Sequence, residues 1–292
     1  MRFLVLNFAA GLCIVGASCS KQTLATTSDL PEPQASVVML TAEGLEESSG
    51  VAPSLTETGW YYTHNDDDNP MRYWKFNLQG KVLGPYVLPN IVNRDVEDMS
   101  AARIDGKSFL YFADIGDNLA RYESVRIYRV EEPTSTKGDQ RKVDVFTLRY
   151  PSGPMNSEAF FVDPLKGSFW IIEKTTQKKA RVLRCMNPMP GNNTMEEIGT
   201  VEVGSAIAAT RLITSAAIST DTKRVVLRTY VNAFEFATAS GLKNWWNQTP
   251  KTVTLNVEGQ GEAICYSKDV TQIITTSEGK PCQVSFIAMK SD

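Results

Sequence analysis

From residue 35 onward, apolar and β-branched residues gather in short runs bounded by turn residues, the pattern of strands packed on both faces. The runs GWYYTHN, SFLYFAD, SVRIYRV, SFWIIEK, RVVLRTY, TQIITTS and QVSFIAM are examples. Turn signals such as Gln79-Gly80, Asp105-Gly106 and Asp163-Pro164 fall between neighbouring runs, and convincing helical periodicity is nearly absent. The chain therefore reads as all-β.

A motif recurs within this pattern: a polar or acidic residue, a small or acidic residue, then apolar residues. It stands at Ser49-Gly50-Val51, Glu97-Asp98-Met99, Glu158-Ala159-Phe160, Ser215-Ala216-Ala217 and Glu262-Ala263-Ile264, at intervals of 48, 61, 57 and 47 residues. Each instance precedes a turn and a strongly apolar run ending 13 to 17 residues on, at Asn65, Asp114, Glu173, Arg228 and Ser277. Each unit has room for four strands, the size of a propeller blade. The last unit has room for only three, and ASVVMLTA (35–42) supplies the missing outer strand from the N-terminal end. The pattern predicts a five-bladed β-propeller closed by an N-terminal strand. Six blades stay open as an alternative if two short blades are merged between residues 97 and 215.

In a blade the first strand lines the central channel and the second runs antiparallel beside it, so the motif and the run ends share one mouth. Ser49, Glu97, Glu158, Ser215 and Glu262 are then expected as an oxygen-rich ring that suits a hard cation, calcium before magnesium. Without a cation, such side chains would bind channel water or blade backbone. The loops after the second strands carry His64, Asp66, Asp67, Asp68, Asp117, Asn118, Arg121, Lys174, Tyr230 and Glu278. In DIGDN (114–118), Gly116 is expected to permit the turn that aims Asp117 and Asn118 at the mouth. Mixed charge of this kind suits a small anion, although Asp, Asn and Gly also serve any β-turn. Trp245-Trp246 is expected to pack the outside of blade four or decorate a loop rather than form a sugar-stacking platform.

The first residues change the picture of where the chain works. MRFLVLNFAAGLCIVGAS (1–18) has one positive charge, an apolar run too short to span a bilayer, and small residues at its end: a secretory signal. Gly16-Ala17-Ser18-Cys19 is similar to a bacterial lipoprotein box, making Cys19 the expected lipidated residue, and Ser20 suits outer-membrane sorting. Residues 19–34 read as a tether and 35–292 as a single propeller domain. The expected location is exported, on the periplasmic side of an outer membrane or at the cell surface, with membrane contact through the lipid alone. Loss of the signal removes only Arg2 of 30 basic residues, leaving 29 against 33 acidic ones, which argues against nucleic acid as a partner. Cys185, Cys265 and Cys282 remain in the domain, enough for at most one disulfide.

LEESSGVAPS, RDVEDMSA, LYFADIGDNLARYESVRIYRVEEP, NSEAFFVDP, RVVLRTY and GQGEAICYS together resemble a family of exported bacterial β-propellers marked by an aspartate-isoleucine-glycine-aspartate-asparagine motif. That family carries no assigned activity, and Asp66-Asp67-Asp68 departs from its Asp-Ser-Gly pattern. More distantly, the order Ser49, Glu97, Glu158, Ser215, Glu262 is similar to the axial calcium ring of the calcium-activated nucleotidases (apyrases), and phytase-like and lactonase-like propellers share acidic mouths with calcium. Two functions follow as expectations. One is a calcium-dependent hydrolase of phosphate esters or similar anions, with Lys174 and Arg228 stabilising charge and Glu97 or Asp114 as base. The other is a non-catalytic lipoprotein binding a glycan, peptide or protein.

Overall fold

The computed structural model describes residues 36–67, 70–133, 142–238 and 240–289. The signal segment, the tether, Cys19 and Asp68 lie outside the described residues.

Five small sheets form a five-bladed β-propeller. The N-terminal strand β1 (Ser36–Leu40) is set aside for the last blade. Blade 1 comprises β2 (Gly50–Pro53), β3 (Trp60–His64), β4 (Arg72–Asn77) and β5 (Val82–Val87). Blade 2 comprises β6 (Val96–Ile104), β7 (Lys107–Asp114), β8 (Ser124–Glu131) and β9 (Asp144–Arg149). Blade 3 comprises β10 (Ser157–Val162), β11 (Phe169–Glu173), β12 (Ala180–Cys185) and β14 (Glu196–Val201). The interposed strand β13 (Gly191–Thr194) leaves blade 3 and pairs in parallel with β9, giving blade 2 a fifth strand. Blade 4 comprises β15 (Ile213–Ile218), β16 (Arg224–Thr229), β17 (Ala233–Ala237) and β18 (Lys251–Val253). Blade 5 comprises β19 (Gly261–Tyr266), β20 (Gln272–Ser277) and β21 (Cys282–Ala288).

β1 completes blade 5 by antiparallel pairing with β21, from Ser36 opposite Phe286 to Leu40 opposite Cys282. The ring thus closes as the repeat predicts, and the span from residue 97 to 215 holds two blades. Among the described residues only two short 3-10 turns break the all-β pattern, and no helix is long and apolar enough to cross a membrane.

The core lies between blades, because alternate side chains of a strand face opposite neighbours. Tyr62, Tyr73 and Val96 join Phe112 and Tyr128 between blades 1 and 2. Phe160 and Phe169 join Phe146 and Tyr111 between blades 2 and 3. Trp245 and Trp246 are buried between blades 3 and 4 against Phe161, Trp170 and Phe236, where Gly199 leaves room for the Trp246 indole. Burial at this scale contributes about 25 cal/mol per Å² of apolar surface, so these wedges hold the ring together. Cys185, Cys265 and Cys282 are buried free thiols.

Candidate functional site: an acidic channel mouth

Every first strand begins at the same end of the channel, and four of the five begin with a break in register. The pairing skips Glu97 between Val96 and Asp98, Glu158 between Ser157 and Ala159, Thr214 between Ile213 and Ser215, and Glu262 between Gly261 and Ala263. Such a bulge frees one residue from the ladder and re-aims its side chain. In blade 1 Gly50 pairs with His64 and the Ser49 amide donates to the His64 carbonyl at 3.2 Å, so Ser49 holds the matching place. The mouth ring is therefore Ser49, Glu97, Glu158, Thr214 and Glu262.

Ser215, assigned to this ring by the repeat, lies one residue deeper. Its register partner is Arg228, where the equivalent partner in blade 2 is Ala113. Blade 4 offers two hydroxyl residues in succession, Thr214-Ser215, and spacing alone does not choose between them. The same one-residue slip moves Arg228: the end of that strand is Thr229, opposite Ile213. Arg228 is fully buried, donating to the Ala263 carbonyl at 2.9 Å and pairing with the buried Glu258 carboxylate. Its guanidinium fills the space where Gly261 has no side chain. This arginine ties blade 4 to blade 5 and does not serve the mouth.

The deeper layer closes the channel. Asp98 is fully buried and accepts four hydrogen bonds. Oδ1 takes the Met99 amide at 2.9 Å and the Ser215 hydroxyl at 3.0 Å. Oδ2 takes the Phe160 amide at 2.9 Å and the Ala216 amide at 3.1 Å. Ser215 Oγ in turn accepts the Ile264 amide at 3.2 Å, which brings blade 5 into the same network. Burial pushes the Asp98 carboxyl up, against the pull of its four donors. His64, expected to meet substrate, belongs here too. It is fully buried, and its Nδ1–H donates to the Asn65 carbonyl at 2.9 Å. Burial lowers its pKa to about 4, so the imidazole is neutral.

Above this plug the carboxyls crowd together. Glu97 is raised well above the usual carboxylate range by burial and then by Glu158 and Asp95. Glu158 rises to about 7 through burial, opposed by Lys174 and reinforced by Glu262. Burial also raises Glu262, Glu278, Asp66 and Asp95. Glu47 rises to about 7, first through its hydrogen bond with Asp66 and then through burial. Each of these seven acids feels at least one other in the set. The ammonium among them is Lys174, which pairs with Glu158 and donates to the Tyr230 hydroxyl at 2.8 Å. Those contacts raise Lys174 against the effect of its burial, so it stays charged. On the blade 1 side, Glu47, Asp66 and Asp67 present oxygens within 4.8 Å of one another, the one such group among the described residues.

The neighbouring segments explain how these groups are held. Asn65 Oδ1 accepts the amides of Glu46 and Glu47, at 3.2 and 3.1 Å, and so carries Glu47 to the mouth. Asp114, expected as a base, is fully buried. It accepts from Tyr128 Oη at 2.7 Å and the Asp95 amide at 3.3 Å, and pairs with Arg94 at 3.4 Å. It positions Asp95 and has no open face. In the DIGDN segment Gly116 does not adopt a positive φ. Its requirement is close approach, since a Cβ there would sit 2.3 Å from Asp95 Oδ2 and 2.4 Å from Glu97 Oε1. Asp117 is buried and caps its own turn, accepting the Arg121 and Tyr122 amides at 2.7 and 2.6 Å. Asn118 accepts from Asn156 Nδ2 at 3.1 Å, and the Arg121 side chain is exposed. Gly116→Ala is expected to displace both carboxyls and cost about 1–3 kcal/mol as an overpacked site, read from denaturant melts.

Two contributors escape the repeat. Asp95 precedes the bulge rather than occupying it, and Glu47 lies ahead of the first strand. Their signal is local: acidic residues clustered in RDVED and LEESS, next to each motif.

Fold and site together define a five-bladed propeller with an acidic, plugged channel. Similar chains are found among solved structures. A glucose dehydrogenase is 10% identical with a TM-score of 0.50, covering 88% of this chain and 100% of its own. The WD40 repeats of RRP9 (9% identity, TM-score 0.48) cover 88% and 100%. A gluconolactonase from Xanthomonas campestris (11%, TM-score 0.47) covers 88% and 80%. At these identities the likeness concerns the fold alone. No family model and no curated protein matches the chain.

Proposed function

We propose that this propeller is an exported, calcium-dependent hydrolase of small anionic esters that works in the acidic mouth. The observation that carries the reading is the circuit of seven carboxyls, all displaced toward their protonated forms around one fixed ammonium. Surplus buried negative charge of this kind favours a cation. Glu47, Asp66 and Asp67 fit calcium: all their donors are hard oxygens, already within reach of one ion. Glu158 is paired with Lys174, so a metal is better held by the Glu47, Asp66 and Asp67 oxygens on the blade 1 side than by the ring of first-strand residues.

Calcium bound there supplies polarisation of a substrate oxygen. Lys174, held by Glu158 and Tyr230, binds the anionic group of the substrate. Tyr230 accepts from Lys174 and keeps its own O–H to donate. Glu158, balanced near neutrality, takes up and returns a proton. Asp95 and Glu97 hydrogen-bond to one another and keep the far wall rigid against Gly116.

The test is hydrolysis of a panel of phosphate monoesters, nucleotides and lactones by the mature protein with calcium present. Turnover of one class that Glu158→Gln abolishes supports the reading, and no turnover of any class rejects it. Lys174→Met separates the two cations. Removing the ammonium should tighten calcium several-fold, because like charges no longer compete, while turnover is lost. Unchanged calcium affinity would show that the two do not share one mouth.

A second reading is favoured by one observation. Val92, Leu119, Tyr122, Ile207, Val231 and Val257 are exposed large apolar side chains on loops of this same face. An apolar rim around an acidic pit suits a protein or peptide partner with a basic centre. Capture of such a partner without turnover, lost on Leu119→Ser with Val231→Ser, would select the binding module. Export and lipidation at Cys19 are part of the proposal, and mass spectrometry of the membrane-extracted N-terminal peptide tests them.

A further inference from the structure

The channel has a second end. Below the Asp98 plug lies a cavity of about 380 Å³ to which all five blades contribute. Its walls come from β2 and Leu55 of blade 1, β6 of blade 2, Pro164-Leu165 of blade 3, β15 and Thr220 of blade 4, and β19 and Lys268 of blade 5. The lining is somewhat more apolar than polar, and Leu165 stands exposed at the rim. This is the size and character of a small-molecule pocket.

Its charged lining residues are Arg103 and Lys268, both cationic. Neither forms an ion pair among the described residues. Arg103 Nη2 donates to the Leu55 carbonyl at 3.2 Å and to Ser108 Oγ at 3.4 Å, which orients the fork and leaves its other donors open. The carboxylates on the adjoining turns are engaged locally. Asp221 accepts the Ser219 hydroxyl at 2.6 Å and the Lys223 amide at 3.1 Å. Asp269 accepts the hydroxyls of Ser267 at 2.6 Å and Thr271 at 2.8 Å. Arg103 and Lys268 thus line the chamber without an ion-pair partner among the described residues.

We propose that this lower mouth binds a small carboxylate with an apolar body. The volume holds about a dozen heavy atoms at roughly 30 Å³ each, which matches a carboxylate of about ten carbons. A cationic ligand would be repelled by both basic groups. A ligand without an anionic group would leave both basic groups without a charge partner. The Asp98 layer separates this chamber from the acidic mouth, so the two sites are independent.

Calorimetric titration of the mature protein with sodium decanoate, 1-decanol and decylammonium tests the proposal. Decanoate should bind one to one, with 1-decanol at least tenfold weaker and decylammonium weaker still. Arg103→Gln with Lys268→Gln should weaken decanoate at least tenfold, as should Leu165→Asp at the rim. None of these side chains is buried, so the variants should melt like the parent and calcium binding at the other mouth should not change. Equal affinity for decanoate and 1-decanol, binding unaffected by the variants, or uptake of many equivalents per chain would each overturn it.

Discussion

Substituting Asp98 by alanine lowers the melting temperature by about 10 °C, the largest loss expected from a single change in this chain. The carboxylate accepts from Met99, Phe160, Ser215 and Ala216, joining blades 2, 3 and 4 around the axis, and Ser215 extends the network to blade 5. Removing it leaves four donors facing a void where no other acceptor is built. Each buried orphan costs about 1 kcal/mol or more. The total of roughly 4 kcal/mol corresponds to about 2–4 °C per kcal/mol for a domain of this size. Thermal melts check it, and a loss below about 3 °C would mean that water or a rearranged Ser215 replaces the carboxylate. A propeller that closes by pairing β1 with β21 needs its blades fixed at the axis as well as at the rim. Asp98 meets the first need.

The second large effect is a stability that rises as the solution becomes more acidic. Glu47, Asp66, Asp95, Glu97, Glu158, Glu262 and Glu278 all have folded pKa values above their unfolded ones. A raised carboxyl binds its proton more tightly when folded. Its contribution is fully present below the unfolded value and is lost as pH climbs through the folded value. For Glu47 and Glu158 that loss runs from about 4.5 and is nearly complete once pH passes about 7. Metal-free protein should therefore melt higher at pH 6 than at pH 8. His64 works in the other direction. Its pKa is lowered to about 4, so the stability it contributes is present above its unfolded value and lost as pH falls. Between about pH 4.5 and 6.5 the raised acids outnumber the one imidazole, so melting should go on rising as pH falls below 6. Calcium should flatten the alkaline limb, because a cation replaces the protons that the mouth otherwise takes up. Differential scanning calorimetry in chelator and in calcium reads both limbs. A melting temperature that rises from pH 6 to pH 8 without metal would contradict the crowded-acid picture.

The architecture was legible because its signal is redundant. Five motifs, five apolar second strands and a missing outer strand at one end all require the same ring. The candidate site was legible in part. Glu97, Glu158 and Glu262 sit at bulges in register, and the repeat shows that register directly. Ser215 and Arg228 were misplaced by one residue, because a bulge consumes a position and Thr214-Ser215 offers the same chemistry twice. Asp114 and Asp117 fit the sequence pattern of mouth residues, yet both spend their oxygens on Tyr128, Arg94 and turn amides. No spacing rule reports whether a carboxylate faces a channel or its own backbone. Lys174 shows the deeper limit. Its place in a mouth loop could be read, but its hydrogen bond to Tyr230 depends on how blades 3 and 4 lean together. The β13 extension is similar: GNNT carries little strand propensity, and its pairing with β9 is a tertiary event.

The proposed cation site is the acidic mouth, held ready by its own electrostatics. Titration calorimetry of calcium into metal-free mature protein at about pH 6.5, repeated in two buffers of different ionisation enthalpy, tests it most directly. One calcium per chain is expected, with an apparent heat that differs between the buffers because protons leave the carboxyls, and loss of both signals in Glu47→Gln with Asp66→Asn. No binding at millimolar calcium, or binding with the same heat in both buffers, would contradict it.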